Sequence, residues 1–136
     1  MKFENSTLYT NLKFHKLQLE FGTYYLCDSF VIGELNAGVH FDFNKADIIA
    51  EEIIKHYGEG PKLNLIANRI HSYSVEPQNW TRVLKKYPDL LCSSCVVAYN
   101  TMSTLNASLE NRFFIEDILL FNSLEDAVLW AQRFKK

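Results

Sequence analysis

Lys62-Leu63-Asn64-Leu65-Ile66-Ala67-Asn68-Arg69 decides how this chain is read. Leu63, Leu65, Ile66 and Ala67 make a short apolar run, the mark of a buried strand. One helical pattern precedes the run and another follows it. From Asn68 to Glu76 the chain turns abruptly polar, and Pro77 then suits the first turn of a new helix. A strand set between two helices is the repeating unit of an α/β sheet. In open sheets of that kind, ligands and partners bind beyond the carboxyl ends of the strands. A site is therefore expected in the loop after Ala67.

Toward the N-terminus, Ala46, Ile49, Ala50, Ile53, Ile54 and Tyr57 recur as one stripe of an amphipathic helix. Asp42 or Asn44 can cap its start, and Gly58-Glu59-Gly60-Pro61 stops it. Before the helix, Leu17, Leu19 and Phe21 alternate with Lys16, Gln18 and Glu20, the period of a strand with one buried face. Gly22-Thr23 turns the chain into a second strand read from Tyr24 to Leu35, which completes a hairpin. Gly33, inside that strand, marks a bulge or a close approach of other atoms. Residues 1–11 read as a loose lead-in.

Toward the C-terminus, Trp80, Val83, Leu84 and Tyr87 form a helical stripe, and Cys92 to Tyr99 is a strand. Asn100 or Thr101 caps a helix with Met102, Leu105, Leu109 and Phe113 on its inner face. Ile115 to Phe121 is the last strand. Ser123-Leu124-Glu125-Asp126 resembles a capping box, and Leu124, Ala127, Val128, Ala131 and Phe134 face inward on the last helix. The expectation is one α/β domain over residues 1–136: a mixed sheet of about five strands, an antiparallel hairpin followed by repeated βα units, and about four helices. The clear alternation of the first strand places helices mainly on one face.

Composition excludes several classes. With 14 basic and 16 acidic residues, net charge −2, no phosphate-backbone partner is expected. At 48% hydrophobic residues the chain can build a core. No apolar run approaches the ~20 residues of a membrane span. Met1 to Thr7 lacks the apolar core of a signal peptide, so a cytoplasmic location is expected.

Cys92-Ser93-Ser94-Cys95 is a CxxC at the start of a strand, where residues three apart point to opposite faces. A redox pair would sit at a helix N-terminus, and zinc would need two further ligands. These cysteines are therefore read as structural, and neither metal nor cofactor is expected. His15, His40, His56 and His71 form no paired motif, and no nucleophile–base set or phosphate-binding glycine loop can be assembled. Glu34 and Asp28 read as a solvated strand edge. Tyr24, Tyr25, Tyr73 and Tyr99 fall off the helical stripes and are candidates to rim a pocket or interface.

Leu119-Leu120-Phe121-Asn122-Ser123-Leu124-Glu125-Asp126-Ala127-Val128-Leu129-Trp130 resembles the end of the SpoIIAA-like group of small bacterial proteins, within the STAS-like superfamily. That group ends in a strand with Phe, a polar residue, and a short Leu-Glu-x-Ala-x-x-Trp helix. The order of elements agrees from about residue 16 to 134. The resemblance implies a STAS-like domain that binds regulatory protein partners or lipophilic ligands. It departs from anti-sigma antagonists at Asn68 to Pro77, which has Ser72 and Ser74 but no Asp-Ser pair, and Tyr99-Asn100-Thr101-Met102 lacks the group's Lys-Trp pair.

The expected function is thus a non-enzymatic binding or regulatory module for a protein partner or a small ligand. The alternative is a carrier of a small lipophilic molecule with peripheral membrane contact. The candidate site comprises Asn68, Arg69, His71, Ser72 and Ser74, with Tyr99 and Asn100 from the neighbouring strand end. Helix N-termini and Arg69 favour an anionic group there. In the opposing reading these residues only cap the next helix and pair with Glu76. A homodimer is allowed, through the less covered sheet face or the first-strand edge.

Overall fold

The computed structural model describes residues 1–76, 78–99 and 119–133, without the side chain of Trp80. Pro77, Asn100, the helix expected over 101–113, the strand start at Ile115 and Phe134 lie outside the described residues.

The Leu63-to-Arg69 stretch is strand β5, near the middle of a six-stranded sheet ordered β1-β2-β3-β5-β7-β8. Its neighbours are β3 (Phe30–Leu35) and β7 (Leu91–Ala98), both parallel to it. Strand β8 (Leu119–Phe121) pairs parallel with β7 at one edge. At the other edge β1 (His15–Leu19) and β2 (Gly22–Leu26) run antiparallel to each other, and β2 runs antiparallel to β3. The single strand expected from Tyr24 to Leu35 is therefore two, which raises the strand number from five to six. Asp28 and Ser29 form the exposed turn, closed by the Cys27 N–H donating to the Phe30 carbonyl at 2.9 Å. Residues on either side are apolar enough to read as one run, which hid the reversal. A separate ladder joins β4 (His40–Phe41) to β6 (Ser74–Val75).

Helix α2 (Phe43–Tyr57) and α3 (Asn79–Lys86) cover one face. Asp42 caps α2, its carboxylate accepting from the Lys45 N–H at 3.1 Å. Gly58, at φ +92°, ends the helix with a left-handed backbone that a side chain would disfavour. Ala46, Ile49, Ala50 and Ile53 face Tyr24, Leu26, Val31, Leu35, Leu63 and Leu65 of the sheet. The ring of Tyr24 lies over Gly33, where a Cβ would sit 2.5 Å from Cε2, so close approach rather than a bulge accounts for that glycine.

The opposite face is covered too, contrary to the expectation from β1. Helix α4 (Leu124–Arg133) lays Leu124, Ala127, Val128 and Ala131 over Ile66, Cys95 and Val97. Nor are residues 1–11 a loose lead-in. Phe3–Asn5 is a 3-10 turn and Leu8–Asn11 a single turn of helix, α1. Phe3 is fully buried, its ring 4.5 Å from Tyr25 and 5.2 Å from Phe14 between centroids. An aromatic anchor of that kind carries little periodicity, so the pattern of residues 1–11 did not reveal it. At β1 the cover ends, leaving Lys16 and Gln18 exposed.

Strand β7 carries Cys92 and Cys95. A register shift at Leu63/Asn64 marks a bulge, and it turns the Cys92 thiol toward Asn64 Oδ1 at 3.2 Å, on the face where Cys95 is buried. The opposite-face argument therefore fails. Three residues at ~3.3 Å rise still hold the Cα atoms roughly 10 Å apart, beyond the ~7 Å a disulfide can span. Burial pushes the Cys95 thiol well up, away from the thiolate that chemistry would need.

Candidate functional site: a polar cleft at the strand ends

Strands β3 and β5 are parallel, so their carboxyl ends share one edge of the sheet. Alternation sends Glu34 and Asn68 to the α4 face at that edge. Glu34 is 6% exposed and Asn68 is 1% exposed. Buried polar groups at such depth must be paired with one another, and these are. Asn68 donates through Nδ2 to Glu34 Oε2 at 2.7 Å and to the Met1 carbonyl at 2.9 Å. Its Oδ1 accepts from the Tyr99 hydroxyl at 2.7 Å. The Phe3 N–H also donates to Glu34 Oε2, at 2.7 Å. One carboxylate oxygen therefore holds the N-terminal segment against the sheet. Among the described residues, the other oxygen, Oε1, accepts no hydrogen bond.

Glu34 borders a cleft of about 230 Å³. Lys16, Gln18, Thr23 and Tyr25 form its floor across β1 and β2, Lys2 and Glu4 close it from the N-terminal turn, and Asn36, Ile70 and His71 supply the remaining wall. The side chains on β1, β2 and β3 share one face by register: Lys16 lies opposite Tyr25, and Gln18, Thr23 and Glu34 make one cross-strand row. Burial raises the Glu34 carboxyl above its usual range; the hydrogen bonds from Phe3 and Asn68 oppose that. Tyr25 and Tyr99 are both pushed up to about 12, first by burial and then by nearby carboxylates, Glu34 for Tyr25 and Glu125 for Tyr99. Both stay neutral at physiological pH and act only as hydroxyls.

The expected site is partly assembled and partly dispersed. Asn68 and Tyr99 meet directly and reach the cleft only through Glu34, whereas His71 lines the cleft itself. Arg69 does not join them. As the next residue of β5 it points to the opposite face, is 3% exposed, and stacks over the Tyr73 ring at 4.7 Å. Ser74 is engaged elsewhere, its Oγ 2.7 Å from His40 Nδ1 along the β4–β6 ladder. Ser72 is exposed, and its carbonyl accepts from the Gly38 N–H at 2.9 Å. Asn100 lies outside the described residues.

Glu34 was the residue that sequence reasoning missed. It is no solvated edge; only Asp28 is exposed. The available signal was a lone carboxylate within the apolar run Phe30-Val31-Ile32-Gly33-Glu34-Leu35, one parallel strand away from Asn68.

A second hollow of about 210 Å³ lies on the α2 side, where His15 stacks on His56 at 5.0 Å and 15° beside Glu52 and Lys55. Among the described residues no cluster of His, Cys, Asp and Glu is placed to hold a metal ion, and no helix is long and apolar enough to cross a membrane.

No protein-family model and no curated protein matches the chain in sequence. A solved structure does match in shape: an uncharacterized protein of the DUF3478 family from Shewanella loihica PV-4, described as having a SpoIIAA-like fold. The two share 9% identity with a TM-score of 0.54, over 88% of this chain and 93% of that one. The strand order, the antiparallel start and this likeness agree with the resemblance of the C-terminal segment: the chain has a SpoIIAA-like α/β fold.

Proposed function

We propose that this protein is a non-enzymatic binding module that takes a small polar molecule into the cleft at the carboxyl ends of β3 and β5. The observation that carries this reading is Glu34: a carboxylate with Oε2 held by Phe3 and Asn68, positioned at the border of the cleft. A hydrogen-bonding or cationic group of a ligand in the cleft would meet the other oxygen, Oε1, in place of solvent. The alternative of a lipophilic cargo is disfavoured by the cleft's lining, in which Lys2, Glu4, Lys16 and Glu34 would all be desolvated against hydrocarbon. The reading is one of binding and assigns the cleft no catalytic step.

A second reading, docking of a protein partner, rests on Leu119 and Leu120, which are 43% and 47% exposed on the edge strand β8. Native mass spectrometry of protein purified from its own host separates the two. A bound small polar molecule, lost in Glu34→Gln, is the expected result. A bound fatty acid, or equal occupancy in parent and variant, overturns the cleft reading.

A further inference from the structure

From the arrangement of charge around the cleft we infer that its ligand is a short zwitterion, with a cationic amine at Glu34 and a carboxylate at Lys16. This rests on the reading of the cleft given above and specifies the ligand's chemistry. At one end, Glu34 Oε1 can only accept, and its partner oxygen is already filled by the Phe3 N–H and by Asn68. A charged donor suits a buried carboxylate better than a neutral one, since it offsets the lost hydration as well as forming the bond.

At the other end stands the ammonium group of Lys16, while Lys2 acts on Glu34 itself. Among the described residues Lys16 has no ion-pair partner. Lys16 cannot easily reach Glu34 itself. It lies two strands away and one row over, since Gln18 and not Lys16 shares the row of Glu34, so the lateral separation alone is roughly 10 Å. A ligand with charge at both ends would span that interval.

A purely cationic ligand would gain nothing from Lys16, and a purely anionic one would gain nothing from Glu34. Glu4 and His71 also line the cleft. Glu4 makes the acidic and basic lysine-and-glutamate count even, so the lining favours a ligand without net charge. Size agrees: a cleft of about 230 Å³ lies below the roughly 300–1,000 Å³ of drug-sized pockets and suits a small molecule.

Isothermal titration calorimetry on the full chain at low ionic strength and pH 7.5 tests this, with three probes of equal length: 5-aminopentanoate, pentylamine and pentanoate. 5-Aminopentanoate should bind at least about ten-fold more tightly than either single-charge probe, about 1.4 kcal/mol. Glu34→Gln should weaken 5-aminopentanoate and pentylamine about ten-fold and spare pentanoate. Lys16→Met, at an exposed position, should weaken 5-aminopentanoate and pentanoate and spare pentylamine. Equal affinity for all three probes, or an affinity for 5-aminopentanoate that neither variant changes, overturns the zwitterion. Amide chemical shifts keep its failure separate from that of the cleft. If pentylamine or pentanoate alone moves Gln18, Thr23 and Asn36 as strongly as 5-aminopentanoate does, the cleft stands and the zwitterion falls. If no probe moves them, both fall.

Discussion

The two faces of the sheet are built on different principles. Under α2 and α3, the side chains of β2, β3 and β5 are apolar almost to the strand ends, and Arg69 closes that row against Tyr73. Under α4 and the N-terminal turn, the same strands contribute Glu34, Asn64 and Asn68, all buried. Asn64 donates to the Ala131 carbonyl of α4 at 3.2 Å, and Asn68 joins Glu34 to Met1 and Tyr99. A dry face is stabilised by area and shape and tolerates repacking. A polar face depends on each partner being present, because an orphaned group keeps its whole desolvation cost. Stability should therefore lie mainly on the first face and recognition on the second.

The largest effect should come from the dry face. Ile53 is fully buried against the sheet, so Ile53→Ala should cost about 2–5 kcal/mol. Urea unfolding should show a lower midpoint at unchanged slope. The zwitterion affinity of the remaining folded protein should stay as in the parent.

Asn68→Ala should cost somewhat less, about 1–3 kcal/mol, by stripping a donor from Glu34 and from the Met1 carbonyl and an acceptor from Tyr99. Unlike Ile53→Ala, it should also loosen the N-terminal segment. Hydrogen exchange at the Phe3 and Ser6 amides should quicken more than exchange in α2. Uniform quickening across both would erase the distinction between the faces.

Arg69→Ala comes next, at about 1–2 kcal/mol through the lost stack on Tyr73 and the packing of its buried stem. Sequence reasoning placed Arg69 in a solvent-facing loop, where the same change would leave the melting temperature alone. Ligand affinity should not change, since Arg69 points away from the cleft. A large loss of binding with no loss of stability would restore the earlier placement.

These cases show which features the sequence makes legible. The α2 stripe was readable because Ala46, Ile49, Ala50 and Ile53 repeat with the period of a helix whatever packs on them. Strand β5 was readable from its short apolar run, and the Leu124 helix from its own stripe. The buried pair Glu34–Asn68 was not, because its members are 34 residues apart and only the β3–β5 register makes them neighbours. Arg69 and Asn68 are adjacent in sequence and looked like one polar loop. In a strand, adjacency sends side chains to opposite faces, and extending β5 by two residues past Ala67 splits the presumed site. The cover from Phe3 was hidden because a single anchoring ring has no period.

The smallest effect concerns pH and isolates Glu34 from everything else on its face. Burial raises its carboxyl above the value of an unfolded chain, against the lowering pull of Phe3 and Asn68. The folded state then holds this proton more tightly than the unfolded state does. The stability contributed by protonated Glu34 is fully present below the unfolded carboxyl value, near ~4.3, and is lost as pH rises through the folded value. Glu34→Gln cannot lose it. The melting temperature of the variant minus that of the parent should therefore climb from pH 4 upward and level off once Glu34 is ionised. Of the groups around it, Tyr25 and Tyr99 do not titrate below about 12, and Lys2, Glu4 and His71 are present in both proteins. The difference therefore reports Glu34 to first order. The same subtraction for Ile53→Val, on the dry face, should be flat with pH. Adding 5-aminopentanoate should reverse the trend in the parent, because an amine at Oε1 favours the ionised carboxylate. A difference that falls with rising pH would mean that Phe3 and Asn68 outweigh burial. Glu34 would then be a structural clamp already satisfied, with no call on a ligand.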